Sequence, residues 1–423
     1  MLPIQLLRQN KEFVLEGLKK KHFKELNLVE EIISIDEKRR QIQVENDTLA
    51  ASINSASKNI GQLMGQGKKE EAEALKADVA KHKEQTKELA EKLSQLEKEQ
   101  HELMIKLPNL PHSSVPEGKT PEENEVVRQW GSMPNLEAQK LPHWELMEKY
   151  NLVNFELGTK ITGSGFPVYI GQGAKLQRAL IAYFLDHNIN AGYTEYYPPY
   201  MVNEASAYGT GSLPDKEGQM YYMPADDLYL IPTSEVPVTN VYRDTIVAES
   251  ELPIKMTAYS PCFRREAGSY GKDVRGLNRV HQFDKVEIVQ LVRPEQSYDV
   301  QEEMVAHVEA LLKALGLQYR VLRLCGGDMS FASARTYDLE VYSAAQERWL
   351  EVSSVSNFET FQTNRMKARF KDGNGKTQLL HSLNGSSLAL PRVMACILEN
   401  HQTPEGIKIP EVLRPYFGKE MIS

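Results

Sequence analysis

The side chains best suited to chemistry lie in one short stretch, from Pro261 to Glu287, which reads PCFRREAGSYGKDVRGLNRVHQFDKVE. The two ends of this stretch are typical of β-strands, and its middle is typical of a loop. Because alternate side chains of a strand share a face, Arg264 and Glu266 are predicted to point the same way. The planar guanidinium group of an arginine at such a position can hold a phosphate and a carboxylate together.

The loop within this stretch is basic and contains several glycines. Its cationic residues are Lys272, Arg275 and Arg279, and its glycines are Gly268, Gly271 and Gly276. Glycine frees the backbone to move or to approach a ligand closely. On the returning strand, the alternating pattern predicts one shared face for His281, Phe283, Lys285 and Glu287.

Other common nucleotide-binding and hydrolytic motifs are missing from the sequence. The triplets GKT at 118–120 and 375–377 resemble the end of a P-loop, but the earlier glycine of that motif is replaced by Ser113 and by Phe370. The sequence contains no HExxH, no GxSxG and no complete GxGxxG after a strand. Nucleotide chemistry in this chain must therefore use another arrangement.

The stretch 261–287 resembles motif 2 of the class II aminoacyl-tRNA synthetases, in which FRxE precedes a long basic loop and a returning strand. Its run G-x-D-x-x-G-L-x-R-x-H-Q-F-x-K-x-E is similar to that of the seryl-tRNA synthetases in particular. Further segments resemble this family in the same order and cover nearly the whole chain. They are Tyr196-Tyr197-Pro198-Pro199 for motif 1, Tyr208-Gly209-Thr210-Gly211 and Thr233-Ser234-Glu235 for the serine pocket, and Glu351-Val352-Ser353-Ser354 and Asn384-Gly385-Ser386 with Arg392 for motif 3.

The resemblance implies an ATP site. Arg264 would clamp the α-phosphate and the amino-acid carboxylate, and Arg392 would meet the γ-phosphate, which makes these two the implied catalytic residues. Glu351 and Ser354 would bind the magnesium ion that accompanies ATP, and hard oxygen ligands suit magnesium. The complete implied ATP-binding set is Arg264, Arg265, Glu266, Glu351, Val352, Ser353, Ser354 and Arg392.

The resemblance also implies a serine site and a two-step reaction. The serine-binding residues would be Thr233, Ser234, Glu235, Arg264, Glu287 and Ser386. L-serine and ATP would give seryl-adenylate and pyrophosphate, and serine would then pass to the 3′ end of tRNA(Ser), with tRNA(Sec) left open as a second acceptor. Displacement at phosphorus needs positioned arginines and a metal ion but no enzyme nucleophile, which agrees with the residues present.

Two positions depart from the family pattern, and one branch of the family does not fit. Motif 3 commonly has glycines where this chain has Ser387 and Pro391, and a proline is tolerated only in the first turn of a helix. The family's zinc-dependent branch needs cysteine ligation, for which the cysteines are not arranged. ATP and magnesium are therefore the implied cofactors, and zinc is not.

The first hundred residues carry the pattern of a coiled coil. Two seams of mostly apolar residues at 4-3 spacing run over 28–63 and 72–107. Helices with such seams must pair with another helix. Near the junction, Gly61, Gly65 and Gly67 predict a helix break and a tight reversal. A self-contained antiparallel arm is therefore favoured over a dimerisation coiled coil.

The chain is predicted to be an α+β protein with two domains. Residues 1–108 form an N-terminal tRNA-binding domain with the long coiled-coil arm, and the proline-rich residues 109–140 form a linker. Residues 141–423 form the catalytic domain with motifs 1, 2 and 3, which the resemblance implies is a class II synthetase-type antiparallel sheet flanked by helices.

The alternation of elements after the linker agrees with such a sheet. Strand-like runs alternate with helical runs, and short turns between many strands favour antiparallel pairing. The strand-like runs include Val168–Ile170, Tyr319–Leu324 and Tyr337–Val341, and the helical runs include Ala174–His187 and Tyr298–Leu315.

The resemblance also implies partners. The arm and the motif 2 loop would bind tRNA(Ser), L-serine would be the substrate, and motif 1 would form a homodimer, with Pro199 closing the interface. The formal net charge of −8 does not indicate nucleic-acid binding. The RNA contact must therefore come from local basic surface on an acidic chain.

The composition is typical of a globular cytoplasmic protein. The 423 residues are 41% hydrophobic and 26% charged, and no run approaches the roughly 18 apolar residues that a membrane span needs. The start of the sequence, MLPIQLLRQNKEF, has the features of neither a signal peptide nor a transit peptide. We therefore expect no membrane contact. Cys262, Cys325 and Cys396 lie far apart and are expected to be buried singly as small apolar residues.

Two other kinds of protein remain as alternatives. An amino-acid-activating homologue that loads a carrier protein would be expected to lack the long arm. A coiled-coil scaffold or nucleic-acid-binding protein with an inactive catalytic domain would be expected to lack Arg264, Glu351 or Arg392. The chain has the arm and all three residues, which favours an enzyme that charges tRNA.

Overall fold

The computed structural model describes residues 1–134, 136, 140–266 and 275–423, which form two compact units. The N-terminal unit contains Leu2–Lys19 and Phe23–Pro108. The C-terminal unit contains Met1, Lys20–His22 and Asn109–Ser423.

The N-terminal unit consists of helices. Their bounds are Ile4–Gln9 (α1), Lys11–Lys20 (α2), Leu28–Gly65 (α3) and Lys69–Met104 (α4). Helices α3 and α4 pack against each other as an antiparallel pair, and Ile32, Ile35, Ala72 and Val79 are buried along the predicted seams. With 38 residues, α3 is about 57 Å long. The predicted coiled-coil arm is confirmed.

The turn at the end of the arm is shorter than the glycines suggested. Gly61 lies inside α3 and Gly65 is its last residue, whereas Gly67, with a φ of +78°, lies in the connection to α4. A glycine inside a helix costs only about 1 kcal/mol relative to alanine, and the packing of α3 on α4 offsets that cost. The prediction of a helix break was therefore wrong for Gly61, whereas α3 does end at Gly65 and the chain reverses at Gly67.

A buried carboxylate joins three helices at the base of the arm. Asp36 of α3 has no exposed surface. It accepts hydrogen bonds from Arg8 of α1 at 2.9 Å, from Arg40 at 3.1 Å and from Gln100 of α4 at 3.1 Å. These charge-assisted hydrogen bonds hold the pKa of Asp36 below its usual range although burial opposes ionisation. The network fixes α1 against the root of the arm.

The C-terminal unit is built on one large sheet with four small ones. The strands in chain order are Glu125–Trp130 (β1), Val153–Asn154 (β2), Val168–Tyr169 (β3), Thr194–Glu195 (β4), Met201–Asn203 (β5), Tyr222–Met223 (β6), Leu228–Leu230 (β7), Ile246–Ala248 (β8), Ile254–Phe263 (β9), Gln282–Val292 (β10), Tyr319–Arg323 (β11), Arg335–Ser343 (β12), Arg348–Glu359 (β13), Arg369–Lys371 (β14), Thr377–Leu379 (β15), His381–Ala389 (β16), Gln402–Thr403 (β17), Gly406–Lys408 (β18) and Met421–Ile422 (β19). The large sheet has the order β1-β11-β12-β13-β16-β10-β9-β4. Its neighbours are antiparallel except β4 and β9, which confirms the predicted sheet.

Helices cover this sheet and bury its apolar side chains. Their bounds are His143–Lys149 (α5), Phe155–Ile161 (α6), Gly171–Asn190 (α7), Glu204–Thr210 (α8), Glu235–Asn240 (α9), Ser297–Ala314 (α10), Phe361–Met366 (α11), Leu390–Asn400 (α12) and Arg414–Phe417 (α13). Phe184 of α7, Leu311 of α10 and Ile397 of α12 share one core with Ile288 and Val355 of the sheet. The predicted strand and helix runs are confirmed, and this core gives the site a rigid support.

The predicted linker is part of the C-terminal unit. Residues 109–140 include β1, which pairs with β11. Asn109 is buried, and its Nδ2 donates to the carbonyls of Ala332 and Phe358 at 2.9 Å. The linker prediction was therefore wrong. Strand β1 is largely exposed at the edge of the sheet, so its sequence lacks the apolar pattern by which a strand is recognised.

Two further sequence-based expectations concern the cysteines and membrane spans. Cys262, Cys325 and Cys396 are all buried with free thiols, as expected for small apolar side chains. In the described parts of the chain, no helix has both the length and the apolar character that crossing a membrane requires.

Candidate active site

Four neighbouring strands bring the expected site residues together. Strands β9 and β10 form the hairpin of the arginine-rich stretch, and β16 and β13 continue the sheet beyond β10. Glu287 of β10 lies opposite Ser386 of β16, and Val355 of β13 lies opposite Gly385. Because adjacent strands are only about 4.8 Å apart, segments that are distant in sequence form one surface.

A buried ion pair lies on β10. Lys285 Nζ is 2.5 Å from Glu287 Oε2 and donates a hydrogen bond to Thr233 Oγ1 at 2.8 Å. Glu287 is 1% exposed and Lys285 is 6% exposed. Burial raises the pKa of the Glu287 carboxyl, and the charge of Lys285 opposes that rise. A buried ion pair contributes little net stability, so stability alone does not account for this pair. Sequence reasoning left Lys285 out of the site, although its alternation with Glu287 was a usable signal.

A second carboxylate lies close to this ion pair. Glu235 begins α9, and Gln362 Nε2 donates to Glu235 Oε1 at 2.6 Å. Burial and the charge of Glu287 raise the pKa of Glu235 to about 7. A cationic ligand would favour the ionised form of both carboxyls. Thr233, Glu235, Lys285 and Glu287 are called the carboxylate cluster below. Gln362, from α11, carried no sequence signal that connected it with Glu235.

The two serines expected beside this cluster differ in environment. Ser386 lies opposite Glu287 on the neighbouring strand. Ser234 is fully buried, and its hydroxyl is 2.5 Å from that of Ser260. The side chain of Ser234 is therefore occupied in the protein interior and does not join the carboxylate cluster.

Arg264 stands beside the carboxylate cluster. It directly follows Phe263, the last residue of β9. Its Nε donates to the Pro232 carbonyl at 3.3 Å, and its guanidinium group lies 5.2 Å from the centre of the Phe283 ring. The positive charge of Arg264 also lowers the pKa of Glu287. This guanidinium can therefore bind an anion next to a site for an ammonium group.

The prediction that Arg264 and Glu266 share a strand face was wrong. Strand β9 ends at Phe263, and Glu266 has a φ of +47°, so the backbone turns where the alternation would have to continue. The Glu266 carboxylate pairs with Arg279 Nη1 at 3.0 Å.

Arg265 is held away from Arg264 by its own contacts. Its backbone N–H donates to the Gln219 carbonyl at 2.9 Å, and its guanidinium group lies 5.6 Å from the centre of the Tyr221 ring. Residues 267–274 of the expected basic loop lie outside the described residues, and they include Gly268, Gly271 and Lys272.

Arg392 lies at the start of α12, where backbone oxygens orient it. Pro391 occupies the first turn of this helix, the position in which a proline is tolerated. Arg392 Nη1 donates to the Glu351 carbonyl at 2.8 Å and lies 3.7 Å from Glu351 Oε2, and its Nε donates to the Asn278 carbonyl at 3.0 Å. Sequence reasoning missed Asn278 because a contact through a backbone carbonyl leaves no side-chain signature.

The oxygen atoms near Glu351 fit a magnesium ion. The Glu351 side chain is about half exposed, and Ser354 lies opposite Asp338 in the pairing of β13 with β12. Asp338 Oδ1 is buried and, within the described residues, has no hydrogen-bond partner. Burial and the charge of Glu351 raise the pKa of Asp338. A cation would satisfy this oxygen, and magnesium prefers such hard ligands.

Two expected ATP-site residues have side chains that serve the sheet. Val352 is 1% exposed and belongs to the core. Ser353 is buried, and its hydroxyl donates to the Ser386 carbonyl at 2.6 Å. Both side chains therefore contribute to the core and to the strand pairing.

The mainly antiparallel sheet, with Arg264 beside the buried carboxylate cluster and Arg392 bonded to two backbone carbonyls, agrees with the catalytic core of a class II aminoacyl-tRNA synthetase. Residues 222–401 match the family described as tRNA synthetase class II core domain (G, H, P, S and T), and residues 1–111 match the seryl-tRNA synthetase N-terminal domain. The chain belongs to the seryl-tRNA synthetase family. It is 50% identical to the serine–tRNA ligase of Salinibacter ruber over 420 residues, which are 99% of this chain and 98% of that protein.

Other relatives and solved structures agree. The chain is 49% identical to the serine–tRNA ligase of Neisseria meningitidis serogroup C over 426 residues, covering 99% of this chain and 98% of that protein. The Pyrococcus horikoshii seryl-tRNA synthetase complexed with ATP matches with a TM-score of 0.93 at 34% identity, covering 100% of this chain and 99% of that one. The cytoplasmic serine–tRNA ligase of Naegleria fowleri in complex with AMP matches with a TM-score of 0.89 at 29% identity, with the same coverage. The expected fold and enzyme class are confirmed.

Proposed function

We propose that this enzyme activates L-serine with ATP, releases pyrophosphate, and transfers serine from seryl-adenylate to the 3′ end of tRNA(Ser). The observation that carries the proposal is the carboxylate cluster with Arg264 beside it. The carboxylates supply negative charge for the ammonium group of serine. Arg264 supplies positive charge for the serine carboxylate and for the α-phosphate of ATP, which must come together. tRNA(Sec) is a second candidate acceptor.

The carboxylate cluster binds serine in this proposal. Glu235 and Glu287 pair with the ammonium group, and charge-assisted hydrogen bonds are strong where water is excluded. Thr233 and Ser386 supply hydroxyl groups around the serine side chain. Arg264 holds the serine carboxylate against the α-phosphate, so that attack on phosphorus is nearly unimolecular.

The second arginine binds the other end of ATP. Arg392 meets the γ-phosphate, and the Glu266 carboxylate helps to hold the nucleotide. Glu351 and Ser354 would hold magnesium, and Asp338 lies opposite Ser354 on the neighbouring strand. The ion supplies charge neutralisation for the phosphates. Support for a nucleotide at this surface comes from the ATP complex of the Pyrococcus enzyme and the AMP complex of the Naegleria enzyme.

The N-terminal residues 1–108 bind tRNA(Ser) through the arm, and Arg275 and Arg279 of the motif 2 loop approach the acceptor end. Exposed lysines on α4, such as Lys83 and Lys92, are available for phosphate contacts. Double-stranded RNA is mostly recognised by its shape and backbone, which suits a long helical arm. Charging tRNA for protein synthesis is work done in the cytoplasm.

The enzyme works as a homodimer in this proposal. Tyr197 in the motif 1 segment is 77% exposed, and Ile189 and Met201 on either side of it are 41% and 48% exposed. Pro199 between them is also exposed. An exposed apolar group of this kind next to the sheet edge β4 suits a two-fold interface.

Exchange of labelled pyrophosphate into ATP tests the serine site. We expect exchange with serine, weak exchange with threonine, and rejection of alanine more strongly than of threonine at the level of binding. A pocket built to bond a hydroxyl leaves polar groups unpaired with alanine, whereas threonine adds only a methyl group. Glycine serves as the control without a side chain. Exchange driven equally well by alanine would remove the basis for this pocket.

A further inference from the structure

A buried histidine and glutamate lie behind the active site. His143 begins α5, Glu399 lies near the end of α12, and both side chains are fully buried. His143 Nδ1 is 2.7 Å from Glu399 Oε1, and the backbone N–H of Leu277 donates to His143 Nε2 at 2.9 Å. Because the lone pair of Nε2 accepts the hydrogen bond from the Leu277 N–H, the ring proton is on Nδ1. The Nδ1–H group donates it in a hydrogen bond to Glu399.

The Glu399 carboxylate is well supplied with donors. The backbone N–H of His143 and the Nε2 of Gln346 each donate to Oε1 at 2.9 Å, and the Ser343 hydroxyl donates to Oε2. Burial alone would raise the pKa of Glu399, but its hydrogen bonds, above all that from His143, hold the pKa below the usual range. The ionised carboxylate therefore fixes the orientation of the imidazole ring.

This pair holds the end of the motif 2 loop in one place. Gly276, with a φ of +63°, packs so closely on the imidazole that a Cβ atom there would lie 2.3 Å from His143 Nε2. Asn278 Nδ2 donates to Gln346 Oε1 at 2.9 Å. Gly276–Asn278 is thus bonded to the imidazole directly, through Leu277, and to the glutamate through Gln346.

One backbone oxygen links the hydrogen-bond network of His143 and Glu399 to Arg392. The Asn278 carbonyl accepts the hydrogen bond from Arg392 Nε at 3.0 Å. A shift of Asn278 would remove one of the two backbone bonds that orient this guanidinium group, the other being to the Glu351 carbonyl. The carboxylate cluster shares no hydrogen bond with this network among the residues that the structure describes.

We propose that His143 and Glu399 are positioning residues that fix Gly276–Asn278, and through it Arg392, for the binding of ATP. The inference rests on the proposed role of Arg392 at the γ-phosphate. Neither side chain touches the reacting atoms, so their loss changes the response to ATP and leaves the response to serine largely unchanged.

Serine-dependent pyrophosphate exchange separates the two substrates. His143→Leu removes the acceptor for the Leu277 N–H, whereas His143→Gln keeps an acceptor where Nε2 lies. Loss of a buried hydrogen-bond partner is costly, so the KM for ATP should rise about tenfold or more in His143→Leu. The same constant should change less than about threefold in His143→Gln, and the KM for serine should stay within about twofold in both.

The control is the same substitution in a buried carboxylate remote from Arg392. Glu309 accepts a hydrogen bond from the Tyr319 hydroxyl at 2.9 Å, and both residues are buried. Glu399→Gln should raise the KM for ATP, and Glu309→Gln should not. The two variants are compared at temperatures equally far below their melting temperatures, so that a difference in stability does not enter the comparison. If Glu399→Gln does not fold, Gln346→Ala removes the bond to Asn278 from a partly exposed position and should raise the KM for ATP severalfold.

The possible results are distinct. Equal rises in KM for ATP and serine, an equal effect in Glu309→Gln, or unchanged ATP constants in His143→Leu and Gln346→Ala would overturn the positioning role. Absence of serine-dependent exchange in the unaltered enzyme would instead overturn the proposed function, and this inference with it.

Discussion

Among the residues of the carboxylate cluster, Glu235 has a pKa near neutral pH. Burial and Glu287 raise its pKa to about 7. A raised carboxyl pKa means that the folded protein favours the protonated form, so its contribution to stability is complete below the usual carboxyl pKa and is lost as the pH rises towards 7. Serine has the opposite preference, because its ammonium group attracts the ionised carboxylate.

Serine binding should therefore strengthen as the pH rises. Between about pH 6 and about pH 8 the ionised fraction of Glu235 grows roughly tenfold, so the KM for serine in pyrophosphate exchange should fall by up to that factor. Glu235→Gln keeps the shape of the side chain but cannot ionise, and its serine KM should vary much less over this range. An equally steep pH profile in Glu235→Gln would assign the titration to another group.

The sequence could indicate which residue types are able to bind substrate. It could not indicate which of those side chains are buried or which contacts they make in the folded protein. Arg264 was singled out because an arginine at the end of a strand before a basic loop can hold a phosphate and a carboxylate, and Glu287 because its segment resembles the family's serine site. Ser234 was misjudged, because adjacent positions in a short segment give no indication of which hydroxyl is buried against Ser260. Gln362 reaches Glu235 from a separate helix, a contact that only the tertiary fold creates.

Among the elements, the arm allows two activities to be separated. Ile42 of α3 and Leu96 of α4 border the same groove, so a short turn can join the helices there. Replacing residues 43–94 by a short glycine–serine turn keeps the Asp36–Gln100 bond at the base of the arm. Serine-dependent pyrophosphate exchange should stay within about twofold of normal, while tRNA(Ser) charging should fall by about two orders of magnitude or more, since shape and phosphate contacts are lost.

The matched control for this variant is a chain in which only residues 61–67, at the far end of the arm, are replaced by the same turn. Its charging activity should fall less than that of the shortened arm. Normal charging by the shortened arm would mean that the arm binds something other than tRNA.

Helices and strands were predicted correctly where a periodic pattern continued over many residues. The predictions failed where tertiary packing determined the structure. The 4-3 seams run for about ten turns, so α3 and α4 were predictable in length and pairing. Gly61 was interpreted as a helix breaker because helix propensity alone ignores the packing of α3 on α4. Strand β1 was missed because an exposed edge strand shows no alternation of apolar and polar residues.

For the whole molecule, assembly is the property to test first. Tyr197 is a large exposed aromatic residue beside a sheet edge, and we expect it to be covered in a homodimer. Tyr197→Asp should shift the protein towards monomer in sedimentation at micromolar concentration, because a charge at the centre of an interface is costly. Phe13→Asp, at a 54% exposed position of the N-terminal unit, is the control and should leave the sedimentation coefficient unchanged. A fully active monomer of the unaltered chain would contradict the expected dimer.

The central claim is that this chain attaches serine to tRNA(Ser), and charging measures it directly. The full chain is incubated with ATP, magnesium, tRNA(Ser) and labelled serine, threonine or alanine, and the ester formed at the 3′ end is quantified. A tRNA specific for another amino acid and a carrier protein serve as alternative acceptors. We predict that, of the three amino acids, only serine is attached efficiently. Of the acceptors tested, only tRNA(Ser) receives it. The rate should require both the N-terminal arm and the catalytic domain. Equal charging with alanine or threonine, or serine loaded onto the carrier protein and not onto tRNA(Ser), would contradict the account.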